Sequence, residues 1–120
     1  MAERRIGERL VVAFPVRVTW KDSNGQKMIE EGLTENVGHH GALIYLPRML
    51  PQVGNTVKLA VTDQEEEVEV TARVLRLERN AAHPQAALEL TKSLKLWKEK
   101  VFNYAERTIA EMEPEPSDEW

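Results

Sequence analysis

Near the start of the chain, Leu10, Val12, Phe14, Val16, Val18 and Trp20 share one phase, while Arg17 and Thr19 fall on the other. A period of two sends successive side chains to opposite faces, so residues 10–20 are predicted to form a half-buried strand. Pro15 lies on the outer phase. Without an N–H it suits a sheet edge or a bulge. Asp22-Ser23-Asn24-Gly25 is hairpin chemistry, because Asn-Gly tolerates the positive φ of a tight turn. The return strand over 26–35 alternates poorly. A third strand is expected over 42–46, entered through Gly38 and Gly41, and the two prolines and one glycine within 47–55 predict a loop.

Val57, Leu59 and Val61 then alternate with Thr56, Lys58 and Thr62, which predicts a fourth strand. The fifth runs over 67–79. Its apolar phase passes through Val68, Val70, Ala72 and Val74 and then shifts to Leu75 and Leu77, so a bulge or bend is expected near Val74. After a turn at 80–84, Ala86, Leu88 and Leu90 mark a sixth. Six short strands joined by turn residues point to an all-β barrel or sandwich. From Ser93 the period changes: Leu94, Trp97, Val101, Ala105, Ile109 and Met112 recur at helical spacing. Ser93 is the expected N-cap, and Pro114 ends the helix.

Composition narrows the possible functions. With 120 residues the chain is the size of one domain. A net charge of −4 argues against coating long nucleic acids, which requires a cationic surface. No apolar run approaches the ~20 residues needed to cross a bilayer, and the first residues lack the apolar core of a signal peptide. The absence of cysteine removes disulfides, thiolate nucleophiles and Cys-based zinc sites, and makes a cytoplasmic location the expectation. Charge is unevenly placed: Arg4, Arg5 and Arg9 lead, while Glu113, Glu115, Asp118 and Glu119 crowd the other end.

Catalytic motifs are missing. There is no phosphate-binding P-loop, nucleophile elbow or His-Glu-x-x-His helix, so no enzymatic activity, metal or cofactor is expected. His39 and His40 read as exposed loop residues, and Glu65-Glu66-Glu67 as a solvated hairpin. Two features carry chemistry together. Arg5 and Arg9 stand four apart before the first strand; a guanidinium stacks on a base and forks onto a phosphate or a guanine edge. Asn36-Val37-Gly38-His39-His40-Gly41 supplies an amide side chain among conformationally free glycines.

In this order the two features resemble the PilZ family, which carries R-x-x-x-R ahead of its first barrel strand and [D/N]-x-S-x-x-G between its second and third. Arg5 and Arg9 match the first motif, Asn36 and Gly41 the ends of the second, and Gly38 stands where the family has serine. The wider pattern agrees over roughly residues 3–91. The resemblance implies a six-stranded antiparallel β-barrel with a C-terminal helix. It divides the chain into a barrel with its arginine loop over 1–92, an amphipathic helix over 93–112 and an acidic disordered tail over 113–120. It also implies a bacterial, cytoplasmic receptor that binds the second messenger cyclic di-GMP through Arg5, Arg9, Asn36, Gly38 and Gly41. Binding would be relayed by a conformational change to a downstream protein partner. The alternative is a degenerate member that acts as a protein-interaction module without nucleotide. Loss of the serine hydroxyl removes one hydrogen bond, about 0.5–1.5 kcal/mol.

Overall fold

A computed structural model describes residues 9–112. The strands are β1 Arg9–Leu10, β2 Pro15–Lys21, β3 Lys27–Gly38, β4 Gly41–Tyr45, β5 Thr56–Val61, β6 Val68–Glu78 and β7 Gln85–Leu90. A helical segment follows as α1 Leu94–Trp97, a π-helical turn Lys98–Phe102 and α2 Asn103–Met112. The strand order β1-β3-β2-β5-β6-β7-β4, with a further β3–β4 pairing, closes β2 to β7 into a six-stranded antiparallel barrel. The expected all-β barrel with a C-terminal helix is therefore present, and β1 adds a seventh strand to it.

The strand expected over 10–20 is divided, because residues 11–14 leave the ladder between β1 and β2. Thr34 occupies the break. Its Oγ1 accepts from the Phe14 N–H at 2.8 Å and donates to the Val12 carbonyl, and its own N–H donates to the Phe14 carbonyl at 2.9 Å. One buried hydroxyl thus satisfies backbone groups that the ladder no longer pairs. The inward phase survives the break: Phe14, Val16, Val18 and Trp20 are all buried. Pro15 opens β2, where its missing N–H costs no ladder bond, and its carbonyl accepts from the Thr62 N–H at 3.0 Å.

β3 alternates poorly in sequence because its inward positions include polar residues. Glu30 and Thr34 are buried, whereas Ile29 and Leu33 face outward. Glu30 is 1% exposed and its Oε2 accepts from the Arg48 N–H at 2.8 Å, which ties the loop after β4 to the barrel. The register of β3 on β4 shifts between Thr34 and Asn36. A second shift lies between Val74 and Arg76 of β6 against β7, at the bend expected near Val74. Leu75 is the extra residue and is exposed, while Leu77 returns to the inner phase opposite Ala86.

The helical segment packs on its own barrel. Trp97, Val101, Phe102 and Ala105 are buried in the same core as the inward strand residues. Leu94, expected on this stripe, is 45% exposed, and Phe102 takes a place the simple periodicity did not assign. The π turn accounts for Phe102; Leu94 precedes it, at the first position of α1. The Asn103 N–H donates to the Lys98 carbonyl, five residues back, so one extra residue enters the turn and Phe102 rotates onto the face of Trp97. Ser93 does hold the N-cap position, but with φ 67° and no side-chain cap bond. The sharp exit from β7 demands left-handed backbone there, and the hydroxyl does not reach the helix amides. Residues 113–120, expected to be a disordered tail, lie outside the described residues.

Candidate functional site

The site forms where β3 ends and β1 joins it. In the β1–β3 ladder Arg9 lies opposite Gly38 and Leu10 opposite Val37. The Arg9 guanidinium reaches along β3, and its Nη1 donates to Asn36 Oδ1 at 3.2 Å. Two motif residues separated by 27 positions are thereby joined on one exposed surface. The break at 11–14 makes this possible: β2 stops pairing with β3 at Leu33, and the chain beyond the break returns to β3 at Val37. Thr34 therefore positions Arg9 by bridging the gap.

The loop from Gly38 to Gly41 is clamped from below. The Gly38 carbonyl accepts from Trp97 Nε1 at 2.8 Å, in a buried bond. The His39 ring stacks on Phe102 with centroids 4.1 Å apart. The His40 carbonyl accepts from the Leu90 N–H at 2.7 Å. His39 is half-buried by that stacking, which corrects its reading as an exposed loop residue; His40 is exposed. Gly41 is buried, and a Cβ on it would be driven into the Leu88 carbonyl oxygen, so glycine is required for the close approach of β4 to β7. Gly38 ends β3 in the ladder, and among the described residues the glycines with positive φ are Gly25 and Gly54. Arg5 lies outside the described residues.

Sheet register adds residues that sequence motifs did not mark. Asn36 lies opposite Leu43, Leu43 opposite Ala87, and Ala87 opposite Arg76, a row across four strands. One step along, Gly41 lies opposite Glu89 and Glu89 opposite Arg73. Arg76 and Arg73 are exposed, each with a carboxylate partner: Glu78 at 3.3 Å and Glu89 at 3.4 Å. The outward phase of β6 could have indicated them, but only the bulge at Leu75 puts Arg76 in register with Asn36. Trp97 was read as part of the helical apolar stripe and Phe102 was not assigned to it, and their contacts to Gly38 and His39 were not visible in the spacing.

The surface offers a guanidinium beside a carboxamide over a rigid glycine-bounded loop. That set suits an anion with a hydrogen-bonding edge. Among the described residues no group of three His, Cys, Asp or Glu side chains could hold a metal ion, and no helix is long and apolar enough to cross a membrane.

The fold and site together define a small closed β-barrel that carries a C-terminal helix and sets an arginine against the Asn-to-Gly loop. The family model for the PilZ domain matches residues 3–99, and the chain belongs to that family. The solved structures it resembles include the PilZ domain of CeSA from a cellulose-synthesizing bacterium, at 20% identity and a TM-score of 0.59, covering 85% of this chain and 98% of that one. The PilZ domain of YcgR from Escherichia coli, determined with c-di-GMP, is 15% identical with a TM-score of 0.65, covering 91% of this chain and 96% of that one. The Bacillus subtilis inhibitor of motility (MotI/DgrA) is 17% identical with a TM-score of 0.67, covering 93% of this chain and 54% of that one. No curated protein matches the sequence.

Proposed function

We propose that the chain is a cytoplasmic bacterial receptor for cyclic di-GMP, that it needs no cofactor or metal, and that it signals to a protein partner without catalysis of its own. The observation that carries this reading is the bond between Arg9 and Asn36, which unites the two motifs on one exposed surface. Cyclic di-GMP presents two guanines and two phosphates. Arg9 and Arg5 would stack and neutralise, and Asn36 would address a base or phosphate edge, with the buried Gly38 and Gly41 shaping the loop beside them. The YcgR structure with c-di-GMP supports the reading by likeness of fold.

The relay has a physical route. Gly38 faces Arg9 in the ladder and bonds Trp97 through its carbonyl, and His39 stacks on Phe102. A ligand that shifts or stiffens this loop therefore acts directly on α1 and the π turn, a packed element that a partner can read.

Calorimetric titration with cyclic di-GMP tests the reading. Saturable binding is expected, weaker as salt rises because phosphates are being neutralised. Arg9→Ala should weaken it tenfold or more, the loss of about 1.4 kcal/mol of charge-assisted contact. The melting temperature without ligand should stay unchanged, since the bond Arg9 makes is exposed. Absence of binding would put the interaction-module alternative first; a collapse in melting temperature would make Arg9 structural.

A further inference from the structure

At the end of the barrel away from Asn36, three ammonium groups surround one cleft. Lys21 lies opposite Lys27 across β2 and β3, and Thr19 opposite Lys58 across β2 and β5. All three lysines are exposed on the outer phase of their strands and line a cleft of about 520 Å³ that also takes in Trp20 and Val57. Nine positions of β3 separate Lys27 from Asn36, about 30 Å of strand, so this cleft is remote from the motif site.

Charge is left uncompensated here. Among the described residues Lys21 and Lys27 have no carboxylate within ion-pair distance, and Lys58 Nζ donates to a neutral group, Thr71 Oγ1, at 3.3 Å. The carboxylate nearest in sequence, Asp22, is occupied: its Oδ1 accepts from the Asn24 and Gln26 amides at 2.9 and 2.8 Å to hold the hairpin turn. Further along β2, by contrast, Arg17 is matched by Glu67 in a two-bond pair that holds the Glu67 carboxyl below its ordinary range. Around the cleft no such carboxylate stands beside the three lysines among the described residues.

We infer that the cleft lined by Lys21, Lys27 and Lys58 is a docking surface for an acidic protein segment that carries an apolar or aromatic side chain. The lysine ammonium groups supply the charge complement, and their aliphatic stems, lying over the buried Trp20 and Val57, supply apolar surface for an anchoring side chain. A volume of this size suits a few side chains. A long nucleic acid fits poorly. The chain carries a net −4, and a strand extended over the same sheet would meet Glu31, Glu67 and Glu69.

The inference stands on residues separate from the cyclic di-GMP reading, and the test keeps the two apart. The full chain is titrated with a synthetic peptide of glutamates around one tryptophan, with its glutamine counterpart, and with a short single-stranded DNA. The glutamate peptide should bind saturably and shift the amide resonances of residues 19–21, 27 and 55–58. The glutamine peptide should not bind. Lys21→Glu with Lys58→Glu should weaken the glutamate peptide tenfold or more while leaving cyclic di-GMP affinity unchanged; both sites are exposed, and circular dichroism checks the fold. Three results would overturn the inference: no binding of the glutamate peptide, shifts centred on residues 36–41, or DNA binding the same lysines more tightly than the peptide.

Discussion

The two glycines of the second motif have different physical duties. Gly41 is set by packing, because β4 approaches β7 so closely that a Cβ would collide with the Leu88 carbonyl. Gly41→Ala should therefore destabilise the fold by about 3 kcal/mol, the upper range for forced overpacking, seen as a large drop in melting temperature. Gly38 is an extended strand residue opposite Arg9. Gly38→Ser meets no left-handed backbone penalty, although Gly38 is buried; a variant that keeps its melting temperature should tighten cyclic di-GMP by about 0.5–1.5 kcal/mol, up to tenfold by calorimetry. An affinity that is unchanged or weaker in a folded variant would show that the loop is built around glycine. Tyr104 gives a prediction of another kind. Its hydroxyl donates to Asp63 Oδ2 at 3.1 Å, and that bond raises its pKa above the ordinary 10.0. The folded state holds the phenol proton more tightly, so the contribution is fully present below pH 10 and is lost as pH rises through the folded value. The stability advantage of the native chain over Tyr104→Phe should narrow on the alkaline side, measured by denaturation at stepped pH.

Elements show where local pattern and tertiary demand part. In β2 the period of two survives unchanged, since every inward residue from Phe14 to Trp20 is buried. β3 breaks the pattern because Glu30 and Thr34 face inward to satisfy Arg48 and the divided first strand. No local rule marks those residues for burial, because their partners lie in other parts of the chain. The helix gives a third case: Trp97, Val101 and Ala105 follow helical spacing, but the π turn adds Phe102, and Leu94, at the start of α1, is exposed. Phe102→Ala should cost about 3–5 kcal/mol, as for other buried aromatics, whereas Leu94→Ala should cost less than about 0.5 kcal/mol. Equal costs in chemical denaturation would mean that the helix does not pack through the π turn.

At the scale of the molecule, the motif loop and the helical segment form one mechanical unit through the Gly38–Trp97 bond and the His39–Phe102 stack. Saturating cyclic di-GMP should slow amide hydrogen exchange in residues 94–102 as well as in 36–41. Trp97→Phe removes the indole donor and should preserve the slowing at 36–41 while diminishing it at 94–102. Slowing confined to 36–41 in the native chain would rule out the helix as the output of the relay.

Local chemistry was enough to determine strand phases, hairpin turns, the helical stretch and the residue types of both motifs, because side-chain alternation and turn preferences depend on neighbours within a few positions. The bend near Val74 was legible for the same reason: a bulge shifts the apolar phase of its own strand. Tertiary structure alone decided that Thr34 would bridge residues 11–14, that β1 would return to β3 and set Arg9 against Asn36, and that Trp97 would hold the Gly38 carbonyl. Each joins groups twenty or more residues apart. Such contacts depend on how a closed barrel brings strand ends together, and no local period records that closure.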